Sequence, residues 1–446
     1  MAFNGIRAQG PEWHLMAAHS KGVLNDWRIC HSATSGSECH LLPFSECNER
    51  MPFCCAYSLL TKSKVFRFPL SVFRLFAYLC AVMRKILHFI SRFFGAERAH
   101  SLSVWMLRIA DKIPLAKWFM HKIYAVEDER LEREVFGLHF RNPIGIAAGY
   151  DRNGEIFRPL SALGFGFVEI GTVTPRPQQG NPKPRIFELP EDRAIINRIG
   201  LASKGFEAVI ENVRKGHEGI ILGCNIGKNT VTPPEEAAMD YLRVFRNLYQ
   251  YLDYFAVNVS YNTTHKQYVP RTRESIMKIL EPLFDFRRGQ NQYRPILLKI
   301  SPDLTNEEID LMTDIMVDTP LDGIIATNAT THPEGLKTSK KELRKRGVGA
   351  VSGEPLTERA IEVVRRVYER CNGTYPIIGV GGLMTGEDVK RMMDAGATLV
   401  QVYTGFVYNG AGFAGDLCRS LIAPEATPET HSNSEVVAED TTENQQ

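Results

Sequence analysis

Eight short apolar runs in this chain close on residues able to do chemistry. In order the ends are Ala147-Ala148-Gly149-Tyr150-Asp151-Arg152, Gly171-Thr172, Asn225 followed by Gly227-Lys228-Asn229, Asn258 with Ser260 and Asn262, Lys299, Thr327-Asn328, Gly379-Val380-Gly381-Gly382 and Tyr403-Thr404. Amides and hydroxyls dominate, and no His or Cys cluster stands there to hold a metal. Glycines and small residues gather at the last two ends, joined by Ser352-Gly353. Such backbone lets N–H groups approach a phosphate. Lys299 is the one lysine at the end of a run, and inside a ring of neutral polar groups it would stabilise anionic charge on a bound ring or phosphate. A phosphate site, many amides and one lysine suit flavin mononucleotide (FMN): amides hydrogen-bond the ring edge and the cation balances its reduced anion.

Those ends must be positioned by the runs themselves. Ile144–Ala147, Phe167–Thr172, Ile220–Ile226, Tyr254–Ser260, Ile296–Ser301, Gly323–Asn328, Ile377–Gly382 and Leu399–Thr404 are nearly continuous in apolar residues, as strands buried on both faces should be. Helical patterns separate most of them, at Glu235–Tyr251, Asn306–Val317, Thr357–Arg370 and Gly386–Ala395. Eight βα units over about 280 residues predict an α/β fold, a (β/α)8 TIM barrel, with sites at the C-terminal strand ends. A doubly wound open sheet competes, but would more usually show five or six strands.

Composition sets the outer bounds. The chain has 446 residues, 44% hydrophobic and 23% charged, as expected of a globular protein with a real core. Lys plus Arg (53) against Asp plus Glu (51) leaves +2, so overall charge gives no argument for nucleic acid. Of nine cysteines, Cys30, Cys39, Cys47, Cys54, Cys55 and Cys80 fall early, and only Cys224, Cys371 and Cys418 follow. There is no C-x-x-C pair, which argues against zinc, and three scattered thiols fit a reduced compartment.

Residues 1–64 show no sustained period and read as a poorly ordered leader. From Arg50 to Ala96 there is no acidic residue, while Lys62, Lys64, Arg67, Arg74, Arg84, Lys85 and Arg92 are basic. Placed on a helix over 71–94, Arg74, Arg84, Lys85, His88 and Arg92 share an arc of about 100°. Leu75, Phe76, Leu79, Val82, Met83, Ile86, Phe89, Ile90 and Phe93 take the rest, the pattern of a basic helix lying in a membrane interface. Packing on its own domain is the alternative. The uncharged run Leu75 to Met83 is far shorter than the ~20 residues a span needs. Residues 97–124 carry two greasy helical patterns broken at Pro114. The expected division is 1–64 leader, 65–132 amphipathic helices, 133–422 barrel and 423–446 disordered tail.

The motifs Ala147-Ala148-Gly149, Glu169-Ile170-Gly171-Thr172-Val173-Thr174-Pro175, Asn225-Ile226-Gly227-Lys228-Asn229, Lys299-Ile300-Ser301-Pro302-Asp303-Leu304, Gly379-Val380-Gly381-Gly382 and Gln401-Val402-Tyr403-Thr404-Gly405 strongly resemble the class 2, quinone-dependent and membrane-associated dihydroorotate dehydrogenases. The likeness runs in order through roughly residues 97–420. It implies an FMN-dependent oxidoreductase that oxidises (S)-dihydroorotate to orotate in de novo pyrimidine (UMP) synthesis and passes the electrons to a membrane quinone. By motif, Ala147, Ala148, Gly149, Thr172, Asn225, Asn258, Lys299, Thr327, Gly353, Gly382, Tyr403 and Thr404 would hold FMN. Arg152, Asn197, Leu201, Asn258, Asn262 and Asn328 would surround the substrate. His100 and the 97–124 helices would line a quinone tunnel. No metal and no nucleic acid are implied. The resemblance also makes Met83 a natural initiator, places the protein on the cytoplasmic face of a bacterial inner membrane, and leaves a mitochondrial inner membrane as the alternative, given the Arg-rich leader.

The chain departs from that family at several positions. Where Asn-x-Ser-Ser-Pro-Asn is usual it reads Asn258-Val259-Ser260-Tyr261-Asn262, one residue short. Either Ser260 is the base from a shifted position, or Tyr261 stands where the serine was, or neither works. Arg152 replaces a substrate-binding lysine, Leu201-Ala202 a Phe-Asn pair, Ala329 a hydroxyl and Glu188 an arginine on the quinone side. These changes leave two alternatives: a flavin barrel with another substrate, or a catalytically impaired flavin-binding homologue.

Overall fold

The computed structural model describes residues 95–217, 219–260 and 270–423. The leader, the interfacial segment over 71–94, Tyr261, Asn262 and the tail beyond Ala423 lie outside them.

The eight apolar runs form the staves β3 (Ile144–Ile146), β4 (Phe167–Val173), β7 (Ile221–Ile226), β8 (Tyr254–Asn258), β9 (Ile296–Ile300), β10 (Gly323–Ala326), β12 (Ile377–Val380) and β13 (Leu399–Val402). Each pairs in parallel with the next, and β13 returns to β3, so the sheet closes and the open-sheet alternative falls. Side chains alternate between the two faces of each stave. Outward residues such as Val168, Phe255, Leu298 and Val400 pack under the helices. Inward residues Phe167, Tyr254, Leu297, Ile325, Ile378 and Leu399 fill the barrel floor.

A hairpin, β1 (Arg133–Val135) with β2 (Leu138–Phe140), plugs that floor. Phe140 joins the inner cluster and meets Phe167 edge to face at 5.2 Å. The predicted helices appear nearly as read, at Ala237–Leu248, Asn306–Asp318, Thr357–Arg370 and Gly386–Asp394. The second and fourth begin with reciprocal caps, Thr305 with Glu308 and Thr385 with Asp388, which satisfy the orphan N–H groups of the first turn.

At the mouth stand one sheet that the sequence did not announce and the two helices that it did. A three-stranded antiparallel sheet, β5 (Ile186–Leu189), β6 (Ala194–Asn197) and β11 (Ala350–Gly353), stands over the C-terminal end. Beside it lie α1 (Ala96–Lys112) and α2 (Pro114–Tyr124), with Pro114 opening the second helix. Glu97 of α1 takes two bonds from Arg185, at 2.5 and 3.1 Å, which ties the helix to the loop entering β5. The apolar residues of these helices divide. Val104, Leu107 and Ala110 pack on the main core, while Trp105, Ile109, Ile113, Leu115 and Trp118 are exposed. Among the described residues no helix is long and apolar enough to cross a membrane.

Candidate active site

Two residues above the apolar floor, the inward positions turn polar. Phe167 is followed by Glu169, Leu297 by Lys299, Leu399 by Gln401, and Asn225 and Asn258 occupy the same level on β7 and β8. The period of two that buries the floor also builds this second layer. Glu169 has no exposed surface, and four donors meet on it: Lys299 Nζ at 3.2 Å, Asn225 Nδ2 at 3.0 Å, Gln401 Nε2 at 2.7 Å and the Tyr254 hydroxyl at 3.2 Å. The ring around Lys299 is therefore not neutral, as the sequence reading expected. It holds a carboxylate, because an ammonium this deeply buried needs a counter-charge. That same carboxylate, with burial the larger cause, pushes the Tyr254 hydroxyl and the Cys224 thiol well up.

Above the layer opens a cavity of about 550 Å³, within the range of cofactor sites. Every predicted site residue inside the described segments lines it. These are His100, Ala147, Ala148, Gly149, Arg152, Thr172, Asn197, Leu201, Asn225, Asn258, Ser260, Lys299, Thr327, Asn328, Gly353, Gly382, Tyr403 and Thr404. The departures Glu188, Ala202 and Ala329 line it too.

Three stretches of backbone shape the walls. The turn after β3 is stitched to β4, Gly149 N–H donating to Gly171 O and Gly171 N–H to Asp151 O. Buried Asp151 accepts from the Glu155 and Ile156 N–H groups, which sets where Tyr150 and Arg152 stand. Burial pushes its carboxyl up to about 6. Opposite lies the small-residue end. A Cβ on Gly353 would come within 2.4 Å of Arg193 O, and one on Gly382 within 2.1 Å of Thr357 Oγ1. Both residues have positive φ, so glycine is demanded twice over. The Ser352 and Thr404 hydroxyls meet there at 2.8 Å.

The third wall is built of amide and hydroxyl side chains. Asn258 Nδ2 donates to Thr172 Oγ1 at 3.3 Å, and Thr172 donates to Asn225 Oδ1 at 2.6 Å. Ser260, buried, donates to Asn258 Oδ1 at 3.2 Å and accepts from Asn328 Nδ2 at 2.9 Å. Burial pushes the Tyr403 hydroxyl up, and the Arg152 charge offsets part of that rise. On the helix side the cavity is lined by Met106, Leu107, Ala110, Met120 and Leu163, apolar except for His100, Ser103 and Glu188. His100 stacks edge to face on Tyr150 at 5.0 Å, and the Tyr150 hydroxyl lies 3.3 Å from Ser103 Oγ. Desolvation, with the Arg152 charge adding to it, pushes the His100 imidazole down to about 3.

The residues suit a flavin nucleotide. The small-residue end offers close backbone approach, Lys299 and the amides offer donors, and Gln401 Oε1 is buried without a partner. Among the described residues there is no metal-ligating cluster. Sequence reading missed Glu169 and Gln401. The signal was there: each is a lone polar residue inside a run otherwise apolar, so each demanded a buried partner.

The comparisons agree with this geometry. A family described as "Dihydroorotate dehydrogenase" matches residues 130–424. The chain is 44% identical over 329 residues to a Christiangramia forsetii protein named dihydroorotate dehydrogenase (quinone), covering 74% of this chain and 95% of that one. A Vibrio parahaemolyticus protein of the same name is 41% identical over 333 residues, covering 73% and 96%. A crystal structure of the Eimeria tenella enzyme DHODH in complex with ferulenol superposes with a TM-score of 0.67 at 32% identity, over 75% of this chain and 93% of that one.

Proposed function

The chain belongs to the dihydroorotate dehydrogenase family, and we propose that its cavity takes FMN across the strand 7 and 8 ends, dihydroorotate against the amide wall, and a quinone from the helix side. The reaction is oxidation of dihydroorotate to orotate with a quinone as final acceptor, in pyrimidine biosynthesis. The observation that carries the reading is one continuous cavity with a donor-rich floor and an apolar side entrance.

When bound, FMN supplies the two-electron acceptor between dihydroorotate and quinone. The chain does the rest. Arg152 and the amides of Asn197, Asn258 and Asn328 hold the substrate carboxylate and ring edge, with Asn262 joining them and Leu201 packing on the ring. As hydride leaves C6, the C5 proton is taken by a base and the C5–C6 double bond forms. Ser260 is the base in this reading, because its Oγ sits in the cavity between Asn258 and Asn328; Tyr261 is the second candidate. Lys299 stabilises negative charge at the ring edge. Tyr403, Thr404, Gly353 and Gly382 receive the phosphate end, and Ala147, Ala148, Gly149, Thr172, Asn225 and Thr327 pack the ring.

Residues 65–132 then serve membrane association and the quinone tunnel, and 133–422 the flavin barrel. Exposed Trp105 and Trp118 on α1 and α2 support a peripheral contact with lipid. The bacterial relatives favour the cytoplasmic face of an inner membrane. The acid-free basic stretch before Glu97 favours a mitochondrial inner membrane as the second reading.

The first test is anaerobic stopped-flow of the yellow protein with dihydroorotate, followed near 450 nm. Fast bleaching, then reoxidation by a quinone, is expected. A flavin that dithionite reduces and dihydroorotate does not would overturn the substrate assignment. His100 offers a second check. With its imidazole near 3, it is neutral throughout pH 5–8. His100→Gln should raise the quinone KM severalfold, and the pH profile of reoxidation over that range should keep its wild-type shape. Loss of a titration near pH 6 in the variant would contradict the neutral imidazole.

A further inference from the structure

The hydrogen bonds of the amide wall all run one way. Asn328 Nδ2 donates to Ser260 Oγ, Ser260 to Asn258 Oδ1, Asn258 Nδ2 to Thr172 Oγ1, Thr172 to Asn225 Oδ1, and Asn225 Nδ2 to Glu169 Oε1. This is five links between four strand ends, finishing on a carboxylate with no exposed surface. Two backbone donors fix the orientation of the outer amides independently. Ser260 N–H donates to Asn258 Oδ1 at 3.1 Å, and Ala329 N–H to Asn328 Oδ1 at 2.9 Å. Each therefore presents its NH2 toward the next hydroxyl.

With its NH2 given to Glu169, Asn225 shows Thr172 an amide oxygen, which can only accept, so the one Thr172 hydroxyl proton goes there, at 2.6 Å. The whole order holds only if the last group accepts and cannot donate. An ionised carboxylate is that group: two oxygens, about four lone-pair sites and no proton. Here four donors use those sites, Lys299 among them.

We infer that Glu169 is a positioning residue: as the acceptor at the root of this chain, it sets which end of every amide faces the cavity and, through Lys299, the charge felt by the bound cofactor. It touches neither substrate nor reacting atoms. Asn225 and Asn258 each keep a second amide N–H beyond the chain, and both residues line the cavity. The wall is thereby set to donate, which selects planar ligands with carbonyl or carboxylate oxygens on the facing edge. This inference rests on the functional reading above and deepens it.

The test is Glu169→Gln in the flavin-loaded enzyme, a change of shape too small to open a cavity. Glutamine offers one acceptor oxygen and brings two protons into a set of four donors. Two readouts separate orientation from mere structure. The midpoint potential of the bound flavin should move positive, because a buried negative charge beside Lys299 is gone. The orotate Kd, read from the flavin absorbance change, should rise about tenfold, the size of one displaced charge-assisted hydrogen bond.

Thr172→Val covers the case in which Glu169→Gln does not fold. It cuts the chain midway and leaves the Glu169–Lys299 pair intact, so the orotate Kd should rise about fivefold or more while the potential moves less than in Glu169→Gln. Orotate affinity unchanged in Thr172→Val, or potential and affinity both unchanged in Glu169→Gln, overturns the inference while wild type still binds flavin and orotate. A wild-type protein that binds neither overturns the functional reading as well.

Discussion

Lys299→Met should leave a colourless protein. The lysine is buried on β9, paired with Glu169 at 3.2 Å, and lines the cavity floor. Methionine matches its length without the charge, so two effects follow together. The site loses its cation, and Glu169 becomes a buried carboxylate with no counter-charge. Breaking a buried pair from one side costs about 3–5 kcal/mol, because the surviving charge keeps its desolvation penalty without its partner. Flavin content after purification and a urea midpoint measure the two effects separately. Adding Glu169→Gln to Lys299→Met removes both charges, and replacing both members of a buried pair is often neutral for stability. The double variant should therefore recover most of the lost stability and none of the flavin. A yellow, fully active Lys299→Met enzyme would sink the cofactor assignment at the floor.

The burial that makes this pair costly to break is also what makes the barrel legible in the sequence. A stave of a closed barrel is buried on both faces, so Tyr254–Asn258 or Ile296–Ile300 reads as an unbroken apolar run, and its end reads as a switch to Asn or Lys. Eight such switches locate one rim, and the described predicted residues do line one cavity. The β5–β6–β11 sheet was not legible for an equally physical reason. Its strands are four residues each, and Ala350–Gly353 pairs with Ala194–Asn197 from more than 150 positions away, so no local period announces them. Yet it carries Asn197, Ile195 and Gly353 into the cavity. Glu169 was visible but unread. Its partners come from four other strands, and convergence on one carboxylate is a property of barrel closure, not of any one segment.

The departures from the family pattern gain meaning from this layering. Floor residues are bound to one another, and each is a partner some other buried group would miss. Arg152, Leu201, Ala202, Ala329 and Glu188 line the same cavity and take no part in the hydrogen bonds that converge on Glu169. Arg152 keeps the positive charge of the usual lysine, but a planar fork presents it differently from a compact ammonium. Substitutions there can therefore change the cavity's lining without removing a donor from Glu169.

Ser260→Ala should slow flavin reduction by dihydroorotate by about 10²- to 10⁴-fold, the usual contribution of a positioned general base. The hydroxyl is placed for the role, but its proton is held by an amide oxygen, Asn258 Oδ1, and its lone pair receives an amide N–H from Asn328. Amides take no proton near neutral pH, so the hydroxyl is activated only when water or hydroxide carries its proton away. The reductive rate constant of the wild type should accordingly climb with pH from 6 to 9, and alanine should flatten that slope as well as lower it. Orotate binding should change little beyond the loss of one hydrogen bond, about tenfold at most. Tyr261→Phe separates the remaining reading, since it removes that hydroxyl and keeps Ser260 in the chain. If phenylalanine abolishes bleaching and alanine at 260 does not, the base has moved one residue along the shortened strand 4 motif. Ser260 then belongs with Asn258 and Asn328, holding the ring in place while its neighbour takes the proton.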